Sequence, residues 1–85
     1  MAELTSMRNI GREMARKLQV LGINSAEELR DMGAKAAFLQ LKATWPQVCL
    51  VHLYALEGAV QDIEFNGLAE ERKRELKAFN DALKK

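Results

Sequence analysis

The sequence predicts an all-α fold, a compact bundle of five helices in one domain over residues 1–85, and three observations predict it. Ala, Leu, Glu, Lys and Arg dominate, β-branched residues are few and Pro occurs once, at Pro46, a mixture that favours helix over strand. Apolar residues recur at intervals of three and four in separate segments, the period of one helix face. Between those segments stand Gly, Asn and Pro, where helices stop. A chain of 85 residues hides only roughly 60 to 65 percent of the surface it exposes when unfolded. That is core enough for one domain and leaves little room for a deep cleft, so no elaborate active site is expected.

The first helix is predicted over Asn9–Leu21, where Ile10, Met14, Leu18 and Leu21 form the apolar stripe and Arg12, Glu13, Arg16, Lys17 and Gln19 fill the other face. Asn9 is a candidate N-cap, and Gly22, in Leu21-Gly22-Ile23, supplies the left-handed residue that ends the helix. Ser25 opens the second helix as a capping box, its hydroxyl facing the Glu28 amide and the Glu28 carboxylate returning to the Ser25 amide. Gly33 ends it. The third helix starts there, carries Ala37, Phe38, Leu41 and Trp45 on one side, and is stopped near Pro46. Val48–Val60 is apolar almost all round and reads as the central helix. After a turn at Asn66-Gly67, a charged last helix starts near Ala69 with a stripe of Leu76, Phe79 and Leu83.

With 13 Lys plus Arg against 12 Asp plus Glu and a net charge of +1, no bulk field draws the whole chain to nucleic acid or to an anionic membrane. Any electrostatic site must be a local patch. Residues 1–42 hold seven basic and five acidic side chains, residues 43–66 three acids and no base, and residues 67–85 six basic and four acidic. The apolar stretch Val48–Val60 is interrupted by His52 and Glu57 and is far shorter than the ~20 residues of a spanning helix, so no membrane role is expected. A single cysteine, Cys49, suits a reducing cytoplasm, and the acid at Glu3 with no apolar run behind a basic start is not a secretory leader.

One basic segment carries a chemical reading. At Asn9-Ile10-Gly11 a helix start presents backbone amides, with Arg8, Arg12, Arg16 and Lys17 beside it, an arrangement in which Arg8, Asn9, Gly11, Arg12, Arg16 and Lys17 would hold a nucleic-acid backbone. The favoured alternative is a solvated face whose bases pair with Glu13 and other acids, since affinity for nucleic acid grows with the number of phosphates neutralised. Arg72-Lys73-Arg74 with Lys77 is the densest basic run, but Glu70, Glu71 and Glu75 lie within it at helical spacing, which reads as a solvated helix face. No aromatic pair is placed beside these runs for base stacking. Cys49 and His52 are three apart on one helix. Two ligands are too few for a metal, and a cysteine in an apolar helix reads as a small hydrophobe, so neither metal nor cofactor is expected. Glu57, inside the apolar stretch, reads as a structural buried acid, because a buried charge requires a partner. Candidate partners are helix-end amides near Gly33 or Gly11, or an Arg, and Gly58 beside it would permit close helix approach.

Asn9-Ile10-Gly11, then Leu21-Gly22-Ile23 with Ser25-Ala26-Glu27-Glu28-Leu29, then Met32-Gly33-Ala34, then Leu53-Tyr54-Ala55-Leu56-Glu57-Gly58-Ala59 together resemble the C-terminal domain of the TfoX/Sxy competence regulators. The similarity runs from about Leu4 to Leu76. Two positions depart from the family pattern: Asn9 replaces the first glycine of a Gly-x-Gly hairpin, and Phe65 stands where the family often has Trp. The resemblance implies an all-helical module whose N-terminal half is of the helix-hairpin-helix kind, with no catalysis. The family's regulators carry a separate N-terminal domain absent from these residues, so their role in switching on DNA-uptake (transformation) genes carries over in part. The expected function is therefore a non-enzymatic regulatory interaction module of a bacterial cytoplasm, docking a protein partner or self-associating, with no small-molecule substrate. The alternative is binding of DNA backbone through Asn9–Lys17.

Overall fold

The computed structural model describes residues 2–83. The expected all-α bundle is found: α1 (Arg12–Val20), α2 (Ala26–Met32), α3 (Ala34–Thr44), α4 (Leu50–Gln61) and α5 (Glu70–Leu83), with single 3-10 turns at Leu4–Ser6 and Phe65–Gly67. α3 lies against α1, α2 and α4, while α4 lies against α3, α5 and the Phe65–Gly67 turn. The centre is thus shared by two helices where the sequence suggested one. Phe38 and Leu41 of α3 meet Leu53 and Leu56 of α4 in a core that also takes Leu4, Leu18, Ile23, Leu29, Val48 and Leu76, all almost fully buried. Burying each such side chain stabilises the fold by about 1.5–3 kcal/mol, and truncating one of the central leucines to Ala would cost about 2–5 kcal/mol.

Local chemistry explains the helix ends. At the close of α1 the Gly22 amide donates to the Gln19 carbonyl and the Ile23 amide to that of Leu18, both at 2.9 Å, with Gly22 at φ 88°. This is a Schellman end, and its usual apolar contact is supplied by the buried Leu18 and Ile23. α4 ends the same way around Asp62 at φ 61°, with Ile63 N donating to Gly58 O at 2.9 Å. Ser25 caps α2, its Oγ accepting from the Glu28 amide at 3.2 Å. The Glu28 carboxylate returns one residue earlier than expected, accepting from the Asn24 amide at 2.9 Å. Lys42 closes the α3–α4 connection by donating to the carbonyls of Pro46 and Val48.

Three expectations are corrected. α1 starts later than its apolar period suggests, and Gly11, not Asn9, occupies the N-cap. Cys49 is not inside the apolar helix: it is the exposed N-cap of α4. The stretch that reads as apolar all round leaves one side open, with Val51 56 % exposed. On α5, Leu76 and Asn80 are buried, and Phe79 and Leu83 pack at the edge.

Candidate functional site

Glu57 and Arg72 join α4 to α5. Arg72 Nε and Nη2 each donate at 3.0 Å to the two Glu57 carboxylate oxygens, the bidentate geometry that a guanidinium offers a carboxylate, and Gln61 also donates to Glu57 Oε2. The side chains are 7 % and 31 % exposed. Burial pushes the Glu57 carboxyl up, but the hydrogen bonds from Arg72 and Gln61 outweigh it and hold it below the ordinary carboxylate value. The bond to Glu57 in turn raises Arg72. Sequence spacing had placed Arg72 on a solvated face; it turns inward because its partner lies on another helix. The guanidinium keeps an outer contact with Glu75 at 3.7 Å. The pair locks α4 to α5.

The Arg8–Asn9 segment is also turned toward the protein. Asn9, at φ 69°, lies in the left-handed region that Asn tolerates better than other side-chain-bearing residues. Its Nδ2 donates to the carbonyls of Ile63 (3.0 Å) and Ala55 (3.5 Å), and its Oδ1 accepts from the Phe65 amide at 3.3 Å. The amide group passes directly over Gly58, where a Cβ would collide with Asn9 Nδ2 and lie 2.6 Å from Ile63 O. Close approach at Gly58 is therefore to the Asn9 side chain and the chain after α4. Arg8 is anchored to Asp62 at 3.5 Å and Glu64 at 3.3 Å.

The basic candidates on α1 are distributed as follows. Arg16 is paired with Glu13 one turn away, and that bond and charge lower the Glu13 carboxyl. Lys17 places its ammonium 5.5 Å from the centre of the Trp45 ring, a cation–π contact between residues 28 positions apart that no local pattern signals. Arg12 is exposed and forms no ion pair among the described residues. Gly11 is exposed at the start of the helix. Of the six candidates, Arg8, Asn9 and Arg16 have hydrogen-bonded or ionic partners in the protein and Lys17 lies against Trp45, which leaves the exposed Arg12 and Gly11.

Beside them runs a groove of about 260 Å³ between α1 and α4, lined by Asn9, Gly11, Met14, Lys17, Val51 and Ala55 among others. Its lining is mostly apolar, with Met14, Val51 and Ala55 among the contributors. Sequence reasoning missed it, because it arises where two apolar stripes meet at their edges. Next to it, the Cys49 amide donates to His52 Nδ1 at 3.1 Å, with the Cys49 thiol 3.5 Å from the same nitrogen. His52 thus completes the first turn of α4. Among the described residues no three His, Cys, Asp or Glu side chains gather to hold a metal, and no helix is long and apolar enough to cross a membrane.

Against known proteins, the family model described as the TfoX C-terminal domain matches residues 1–80. No curated protein matches. Among the solved structures similar to the chain are two from Listeria monocytogenes. An uncharacterised protein from Listeria monocytogenes, in a triclinic crystal form, is 44 % identical over 98 % of this chain and 94 % of that one, with a TM-score of 0.96. A protein of unknown function from Listeria monocytogenes, in a tetragonal form, is 44 % identical over 95 % of this chain and 99 % of that one, with a TM-score of 0.93. The groove, the Asn9 clasp and the Glu57–Arg72 lock are therefore features of a chain that belongs to the TfoX C-terminal domain family.

Proposed function

We propose that this chain is a non-enzymatic regulatory module that works by docking a protein partner in the groove between α1 and α4, in the cytoplasm of a bacterium and in the control of competence. The observation that carries the docking reading is Val51, a large apolar side chain left 56 % exposed in the lining of the groove. A contiguous exposed apolar patch rimmed by polar groups marks a protein interface, and Val51 shares this groove with Met14 and Ala55. The role in competence follows from kinship with the TfoX/Sxy regulators. DNA-backbone binding through Arg8, Asn9, Gly11, Arg12, Arg16 and Lys17 is the second reading. It is weakened by the commitment of Arg8 and Arg16 to acids and of the Asn9 amide to the protein interior, which leaves few cations for phosphates.

The test is affinity capture from the native cell with wild-type chain and with Val51→Glu, each with and without nuclease. A protein that survives nuclease and is lost with Val51→Glu is the expected result. Capture that depends on nucleic acid overturns the reading.

A further inference from the structure

The two helices flanking the Gly22 turn carry opposite charge on their exposed sides. α1 holds Arg12, Arg16 and Lys17 against Glu13, a net of +2, and α2 holds Glu27, Glu28 and Asp31 against Arg30, a net of −2. Among the described residues no ion pair joins α1 to α2, so neither face neutralises the other within the chain. Val20 stands at the end of α1 and is 62 % exposed, more than any other large hydrophobic side chain described. Arg16 and Lys17 lie four and three residues before it, so all three share one side of the helix.

We infer that the α1 face of one copy docks against the α2 face of a second copy, with Val20 buried at the contact. The occupant is a second copy because the chain itself carries the matching charge: the cations of α1 find their complement in the acids of α2. Exposed ion pairs contribute little individually and are screened by salt, and an interface formed by two short helices falls in the small, transient class. The association is therefore weak and strongly salt-dependent. It extends the docking reading in taking the chain for an interaction module; it centres on Arg12, Arg16 and Val20, which do not line the groove, and shares Lys17 with the groove lining.

Sedimentation equilibrium of the full chain tests it, at about 20 mM and about 500 mM salt, where the screening length falls from roughly 20 Å to under 5 Å. A concentration-dependent dimer is expected at low salt, with its association constant falling at least about tenfold at high salt. Reversing α1 (Arg12→Glu with Arg16→Glu) or α2 (Glu27→Lys with Asp31→Lys) abolishes self-association of each variant, and mixing the two restores a 1:1 complex. Val20→Asp, which leaves α2 untouched, also gives a monomer should the α2 variant not fold by circular dichroism. Val51→Ser, which removes the exposed valine of the groove without adding charge beside Lys17, leaves self-association unchanged, which separates this contact from docking in the groove. A wild-type chain that stays monomeric at low salt, or, with both variants folded, a mixture that fails to associate, overturns the inference.

Discussion

Removing either member of the Glu57–Arg72 pair has unequal consequences. Arg72→Met leaves the Glu57 carboxylate, 7 % exposed, with Gln61 as its remaining side-chain donor. Breaking a fully buried pair from one side costs about 3–5 kcal/mol, and the 31 % exposure of Arg72 puts this case near the lower end, about 3 kcal/mol. Glu57→Leu leaves a guanidinium that reaches water and retains Glu75 at 3.7 Å, so its loss should be about 1 kcal/mol, the low end for donors left unpaired. Acidification separates the two further. In the wild type the Glu57 carboxyl is depressed on folding, so its contribution is present above the unfolded value of about 4.3 and is lost as pH falls through the folded value. In Arg72→Met burial acts with Arg72 absent and raises the carboxyl, so the deficit of this variant shrinks as pH falls from about 7 to about 4. Urea denaturation at several pH values reads both effects. Equal losses for the two variants, or a deficit in Arg72→Met that does not shrink in acid, would refute the reasoning.

Two further substitutions probe the backbone. Gly22→Val should cost more than ~1 kcal/mol, because a β-branched side chain opposes φ 88°; a thermal midpoint equal to wild type contradicts this. Gly58→Ala should destabilise by about 1–3 kcal/mol, since the new Cβ meets the Asn9 amide and Ile63 O. Combined with Asn9→Gly, which clears the Asn9 amide, its additional cost should fall, and a double-mutant cycle that is strictly additive would contradict the clasp.

Much of this fold is legible in the sequence because the signals are local. Leu21-Gly22-Ile23 announces a Schellman end, Ser25 and Glu28 announce a cap, and the stripe Leu76, Phe79, Leu83 announces α5. The site is less legible because its contacts are distant along the chain. That Glu57 requires a partner follows from its apolar surroundings, but the choice of Arg72 is made by the packing of α5 on α4, which a charge pattern at helical spacing conceals. Trp45 under Lys17 is hidden for the same reason. Asn9 had a readable signal: the resemblance expects the first glycine of a Gly-x-Gly hairpin there, and Asn9 meets a glycine-like backbone demand at φ 69°. What the residue type does not indicate is that its amide would turn inward and hold the chain after α4. Cys49 was misplaced because an apolar run cannot distinguish a cap from a first helical residue.

The central claim, that the α1 side of this chain meets protein and not nucleic acid, is tested most directly by titrating a labelled DNA duplex with wild type and with an Arg12→Ala, Arg16→Ala, Lys17→Ala variant across a salt series starting near 20 mM. None of the three belongs to the buried stripe of α1, so the variant keeps its fold. The account predicts no salt-dependent binding by the wild type even at the lowest salt. Tight binding whose logarithm falls linearly with that of salt, with a slope reduced by about one for each cation removed, would contradict it.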